Sequence, residues 1–168
     1  KVPYTVKDEH IVIDTREVTN GENRVTIEFT ANDQSLNRRD EFLYTLLVPD
    51  RARTLFPCFD QPDMKSLFTL SLEVPSSWQA VANGAIEQVD STSVTGRRRV
   101  YFRETEPLST YLFSFVAGKL TREIYSRDGR NISIYHRETD PKKVAQCSDI
   151  ASEVFLSLIH ISEPTRPL

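Results

Sequence analysis

Two prolines, Pro57 and Pro62, lie within the stretch Arg-Thr-Leu-Phe-Pro-Cys-Phe-Asp-Gln-Pro-Asp that runs from Arg53 to Asp63. Each proline fixes its own φ and removes a backbone donor, so the stretch is neither a helix interior nor a central strand. Phe56 and Phe59 flank Cys58 inside it. Loops seldom carry two large apolar rings without a surface to bury them. A rigid turn with two aromatic rings and the carboxylate of Asp60 is a docking element, packed into a corner between strands or against a neighbour.

The flanking sequence reads as strands. His10 to Asp14 is a short β-branched run, and Arg24 to Ala31 alternates strictly, with Val25, Ile27, Phe29 and Ala31 on one face. That alternation predicts a strand with one wet face. Asn20-Gly21 between the two runs predicts a hairpin turn. Asn32 to Asp40 is polar and predicts an exposed loop. Phe42 to Val48 is almost continuously apolar and predicts a strand covered on both faces. Leu67 to Val74 alternates again, with Phe68, Leu70, Leu72 and Val74 inward, and Pro75 ends it. Gln79–Asn83 and Ala85–Val89 are joined through Asn83-Gly84, a second tight turn by its composition. Arg97–Glu104 and the very apolar Tyr111–Leu120 follow. Thr121–Tyr125 and Asn131–Arg137 then close a last hairpin around Asp128-Gly129.

The period changes after Arg137. Asp140 is a good N-cap and Pro141 suits the first helical position, where a missing N–H costs nothing. Val144, Cys147, Ala151, Val154, Phe155 and Leu158 recur at helical spacing and predict one apolar stripe. A single helix after a run of strands opens another domain. Pro164 and Pro167 forbid its continuation to the end of the chain.

Composition bounds the function. The chain has 168 residues, 21 Lys plus Arg against 24 Asp plus Glu, and a net charge of -3, which argues against a nucleic-acid partner. Arg97-Arg98-Arg99 reads as a solvated strand start rather than a phosphate patch. No apolar run approaches the ~18 residues of a membrane span. Hydrophobic residues make up 39%, enough to build a core without crosslinks. Cys58 and Cys147 read as two buried thiols, with a disulfide left open. Asn131-Ile132-Ser133 matches a glycosylation acceptor. The chain begins with Lys1, so its compartment, cytoplasmic or exported, is open.

Ala52-Arg53 and Phe56-Pro57-Cys58-Phe59-Asp60-Gln61-Pro62 are similar to the Ala-Arg-x-x-Phe-Pro-Cys-Phe-Asp-Glu-Pro signature of the aminopeptidase N-type zinc aminopeptidases, the gluzincin family. Phe68-Thr69-Leu70, Val74-Pro75-x-x-Trp78, Ala82-Asn83-Gly84 and Tyr111 to Gly118 resemble later strands of the same domain, in the same order. The resemblance implies a mainly β fold: an antiparallel, saddle-like β-sandwich followed by one α-helix. It implies that residues 1–138 are the N-terminal β domain without its first strands, and that 139–158 begin the catalytic domain. The tail 159–168 does not fit the family and resembles translated sequencing adapter. The partners implied are the catalytic domain of the same polypeptide and a peptide substrate, and the cofactor implied is zinc in the parent enzyme. There, zinc polarises the scissile carbonyl and activates water while a carboxylate moves the proton.

A gluzincin site needs two histidines one helical turn apart with a glutamate between them. His10, His136 and His160 are not so spaced, and the Gly-Ala-Met-Glu-Asn motif is absent. No catalytic and no metal-binding residue is therefore assigned here. Many family members carry a Gln bordering the substrate pocket at the position of Leu46, so the family's substrate preference does not transfer. The residues expected at the interface with the catalytic domain are Arg53, Phe56, Pro57, Phe59, Asp60 and Pro62. The alternative reading is a stand-alone β-sandwich module binding protein or glycan, with Trp78 and Tyr111 as its aromatic platform.

Overall fold

The computed structural model describes residues 1–127 and 129–162, with the side chains of residues 127, 156 and 159–162 left aside. Of the expected non-native tail 159–168, residues 159–162 form the last turn of a helix that runs past its expected end at Leu158, while 163–168 lie outside the described residues, as does Asp128 of the last turn. The chain divides into two compact units, Lys1–Thr30 and Ala31–Leu168. It is mainly β, with antiparallel sheets and one helix.

In the first unit β1 (Tyr4–Lys7) pairs with β2 (His10–Ile13). Their two-residue turn, Asp8-Glu9, has φ of 50° and 64°, the conformation that matches strand twist in a tight hairpin. The hairpin thus precedes His10 instead of following it. Asn20-Gly21 does turn, with Gly21 at φ 96°. Its closure comes from a side chain: Asn23 Oδ1 accepts from Thr19 N–H at 2.9 Å, and Asn23 Nδ2 donates to the Thr19 and Gly21 carbonyls at 2.8 and 3.1 Å. The expected strand from Arg24 to Ala31 is not formed, and Val25, Ile27 and Phe29 are exposed. Alternation gives a segment two faces, but a strand also needs a neighbour, and none of the described strands pairs with it.

In the second unit a four-stranded sheet has the order β3 (Leu36–Arg38), β4 (Phe42–Thr45), β9 (Phe115–Gly118), β6 (Gln79–Ala82). A three-stranded sheet has the order β5 (Ser71–Pro75), β8 (Arg97–Phe102), β7 (Ile86–Ser91). The two pack face to face, with Ala80 and Ala117 of the first against Val74, Val100 and Phe102 of the second. Small residues on one sheet opposite large ones on the other let the layers approach closely.

Several expectations are corrected here. The polar stretch from Asn32 holds β3, with Ser35 and Leu36 buried, because one apolar residue suffices for a three-residue edge strand. The run Phe42–Val48 is covered on one face only. Thr45 and Leu47 are buried while Tyr44, Leu46 and Val48 are exposed, the period of two that a pleated strand imposes. Within Tyr111–Leu120 only Phe115–Gly118 is strand, and Thr110–Leu112 forms a 3-10 turn.

Asn83-Gly84 is not a hairpin turn either. β6 and β7 belong to different sheets, so the dipeptide carries the chain from one layer to the other. Asn83 ties this crossing to the start of β9: its Oδ1 accepts from Ser114 N–H at 2.7 Å and its Nδ2 donates to the Leu112 carbonyl at 3.1 Å. A Cβ on Gly84 would lie 2.0 Å from the Arg103 carbonyl oxygen, so glycine is required by close approach.

β10 (Thr121–Arg127) and β11 (Arg130–His136) form the expected hairpin. The helix α1 (Pro141–Ser162) follows, capped as expected by Asp140, whose Oδ1 accepts from Lys142 N–H at 2.9 Å. Its buried face differs from the expected stripe. Val144, Ser148 and Ser152 are buried, whereas Cys147, Ala151, Val154, Phe155 and Leu158 are exposed. Each serine hydroxyl is satisfied by the helix itself, donating at 2.7 Å to the carbonyl one turn back. Among the described residues no helix is long and apolar enough to cross a membrane.

The crossing yields a first prediction. Gly84→Ala should destabilise the chain by roughly 1–3 kcal/mol, because Cβ meets backbone that cannot yield without breaking the sheet. Urea unfolding followed by far-UV circular dichroism measures this, and an unchanged midpoint would show that the crossing relaxes freely.

Candidate functional site

The corner between β4 and β5 is built around one carboxylate. Ala52–Thr54 forms a 3-10 turn, and Ala52 is fully buried beneath it. That turn aims the Arg53 N–H at Asp60 Oδ2, 3.0 Å away, while Asp60 Oδ1 accepts from the Thr110 hydroxyl at 2.6 Å. The Arg53 guanidinium lies 3.7 Å from Asp60 Oδ2 and also reaches the Asp50 carbonyl and carboxylate. The Asp60 side chain is only 7% exposed. A carboxylate stripped of water needs such donors, and here they come from Arg53 at the start of the corner and from a residue distant in sequence. A second tie lies beside it: the Ser109 hydroxyl donates to the Pro62 carbonyl at 2.5 Å.

The two prolines and the carboxylate together set the direction of the rings. Phe56 turns inward. Its ring meets Phe113 edge-on at 5.5 Å and Phe68 at 6.2 Å, and Phe68 stacks on Phe113 at 4.5 Å. This aromatic group sits on the core of Leu36, Leu47, Ala52, Leu55 and Phe113. Phe59 turns outward and is 73% exposed, and Pro57 and Pro62 are exposed beside it. Of the six residues expected at an interface, Phe56 and Asp60 therefore hold the corner from within. Phe59, Pro57, Pro62 and part of Arg53 form its outer surface. Leu46, on the run leading into the corner, is 51% exposed.

Thr110 and Ser109 were not singled out from sequence, although they anchor the corner. The available signal was two adjacent hydroxyls at the head of an otherwise apolar run. Cys58, half-buried next to Asp60, has its thiol pushed up to about 11, by burial first and by the Asp60 charge second. Both cysteines are free, and Cys147 is exposed instead of buried, because it lies on the outer side of α1.

Other polar groups are engaged structurally. Glu73 accepts from Arg97 Nε and Arg99 Nη2, both at 3.0 Å, and the Arg99 hydrogen bond foremost holds its carboxyl below the usual range. Two of the three clustered arginines thus share one carboxylate, while Arg98 donates to the Trp78 carbonyl; Arg97 and Arg98 are half-buried and Arg99 is exposed. Trp78 is half-buried and packs on the core between the sheets, so it is not an open aromatic platform. His10 lies beside the Asp8 carbonyl and His136 beside Glu123. Among the described residues no three His, Cys, Asp or Glu side chains converge into a metal-ligand set. The side chain of His160 lies outside the described residues.

Two measurements probe this site. Asp60→Ala leaves the Thr110 hydroxyl and the Arg53 N–H without their acceptor, and should cost about 2–4 kcal/mol in chemical denaturation. Thr110→Val should cost about half as much, and unchanged stability of both variants would show that the corner is held by apolar packing alone. In thiol labelling near pH 8, Cys147 should react at least ~10-fold faster than Cys58, because the thiolate is the nucleophile and a raised pKa starves Cys58 of it. The Cys58 rate should climb as pH rises toward 11; equal rates near pH 8 would contradict the buried placement.

The described geometry can be set beside known proteins. The chain is 40% identical over 96 residues to "Probable M1 family aminopeptidase 2" of Encephalitozoon cuniculi, covering 56% of this chain and 11% of that protein. It is 32% identical over 149 residues to "Aminopeptidase M1-A" of Oryza sativa subsp. japonica, covering 80% of this chain and 17% of that protein. It is 29% identical over 108 residues to the human "Glutamyl aminopeptidase", covering 64% of this chain and 11% of that protein. The chain thus spans between 11% and 17% of the length of these curated relatives. Residues 3–112, which include the corner with its buried Asp60, the crossing at Gly84 and both packed sheets up to Leu112, match the family profile described as Peptidase M1 N-terminal domain, and the chain belongs to that family.

Proposed function

We propose that this chain is the N-terminal accessory domain of a zinc aminopeptidase, that it packs on the catalytic domain of the same polypeptide, and that it walls one side of the cleft that receives peptide N-termini. The observation that carries this reading is the corner. Its interior is complete, with Asp60 and Phe56 fully engaged, yet Phe59 stands 73% exposed on a backbone that two prolines and a buried carboxylate hold rigid. A preordered aromatic ring on a rigid loop loses little entropy when covered and gains roughly 25 cal/mol for each Å² removed from water.

Two further features support the same reading. Leu46, at 51% exposure, lies on the strand run that enters the corner. On α1, Ile150, Val154, Phe155 and Leu158 are all exposed, a helix face more apolar than water alone favours. The proposed boundary follows: residues 1–138 as the β domain and 139–158 as the first helix of the catalytic domain. The described residues offer no fit for zinc, so no step of peptide hydrolysis is assigned to them. Their role is to position, to cover and to limit access.

The test uses the chain both alone and joined to its downstream reading frame, which should encode His-Glu-x-x-His. Alone, the chain should not cleave aminoacyl chromogenic substrates. Phe59→Glu should leave its melting temperature within about 1 °C, as for a surface substitution. In the longer polypeptide the same change should lower the melting temperature by several degrees and reduce peptidase activity. A longer polypeptide indifferent to Phe59→Glu would refute the proposed interface, and a frame without the zinc motif would refute the parent activity.

A further inference from the structure

Asn131-Ile132-Ser133 is the only Asn-x-Ser/Thr sequence with a non-proline middle residue among the 168 residues. Its placement in the fold is specific. Asn131 lies near the start of β11, opposite Ser126 of β10, and is exposed. The Ser126 hydroxyl donates to Asn131 Oδ1 at 2.6 Å. That contact occupies the amide's acceptor atom. Asn131 Nδ2, the atom that would be modified, donates to no group among the described residues. Ser133 is exposed as well, and its hydroxyl accepts from Arg122 Nη2 at 3.0 Å.

The hairpin has two distinct faces. The register places Arg122, Ile124 and Ser126 opposite Tyr135, Ser133 and Asn131, and strand alternation puts these on one face. Glu123 and Tyr125, opposite Ile134 and Ile132, occupy the other. Helix α1 lies against the hairpin on that second face, where the Tyr125 hydroxyl is bonded by Glu123 and Ser148. Asn131 therefore stands on the face away from the helix. Its neighbour Ile124 is exposed there. The far end of this face, Arg122 and Tyr135, lines a pocket with the crossing at Asn83-Gly84, and Ser126 borders a pocket with Asp149 and Ser152 of α1. Asn131 itself is exposed at the start of β11, where a large, hydrated group spares the ladder hydrogen bonds, since side chains stand off the sheet plane.

We propose that Asn131 is an N-glycosylation acceptor, and that a glycan there covers the helix-free face of the β10–β11 hairpin. The step is a group transfer without redox change. Asn131 Nδ2 attacks the anomeric carbon of a lipid-diphosphate-linked oligosaccharide. The new C–N bond forms as the C–O bond to the diphosphate breaks, the lipid diphosphate leaves with the bonding pair, and Nδ2 gives up one proton. The attached sugars shield one side of a two-stranded sheet whose edges are otherwise open to pairing.

The experiment directs the full chain, behind a cleavable secretion signal, through the lumen of a eukaryotic host. The expected result is a single glycan-sized mass step that peptide N-glycosidase removes, leaving Asp at position 131. Asn131→Gln and Ser133→Ala should each abolish the step, and Ser133→Thr should keep it. Chain recovered from the lumen without that step would overturn the proposal, as would a step that survives Asn131→Gln. A second measurement tests the face. Glycosylated and enzymatically deglycosylated chain should melt within about 1 °C of each other, as for an exposed site. A glycoform that melts several degrees lower would show that Asn131 is covered in the folded chain.

Discussion

Burial of the Asp60 carboxylate is the constraint on which the corner depends. A carboxylate at 7% exposure must replace its lost water with donors, and each donor fixes a different part of the chain. The Arg53 N–H fixes the 3-10 turn, the Arg53 guanidinium adds charge, and the Thr110 hydroxyl ties the turn to the segment leading into β9. The contact with Thr110 spans 50 residues of sequence. It positions Phe56 over Phe113 and Phe68 and leaves the Phe59 ring outward. The same electrostatic requirement thus builds the core on one side and the exposed ring on the other.

The two sheets meet by a different rule, that of close approach. Ala80 and Ala117 allow Val100 and Phe102 to come near, and Gly84 lets the chain cross beside the Arg103 carbonyl. Gly118 follows the same rule within its sheet, where a Cβ would lie 2.5 Å from that of Phe42. Charged residues stay at the rim and pair locally, with Glu73 shared between Arg97 and Arg99 and Glu41 between Lys119 and Arg137.

Much of this was legible in the sequence where the signal is local. The alternation of Phe68, Leu70, Leu72 and Val74, the hairpin before Asn131 and the Asp140-Pro141 helix start depend on neighbours a few residues away. The paired dipeptides show where that logic stops. Asn20-Gly21 and Asn83-Gly84 have the composition of hairpin turns, yet one is closed by the Asn23 side chain and the other crosses between sheets. A dipeptide specifies its own φ and ψ; which strand comes to lie beside it is decided by distant packing. Thr110 as the partner of Asp60 was hidden for the same reason. The strand at Leu36 escaped because an edge of three residues presents too few alternations to detect. On α1 only Val144 of the expected stripe is buried, and burial of Ser148 and Ser152 has no apolar signal, because a hydroxyl that bonds its own helix looks polar in sequence and behaves as a small apolar group in packing.

That serine face has a mechanical meaning. Ridges of large side chains lock a helix into the grooves of its neighbour and give the pair a register. Val144, Ser148 and Ser152 supply one branched ridge and two shallow steps, with both hydroxyls donating to the helix's own carbonyls. Such a surface lets α1 lie close to the hairpin, and the hydrogen bond between Ser148 and Tyr125, rather than interlocked ridges, marks where along the hairpin it sits.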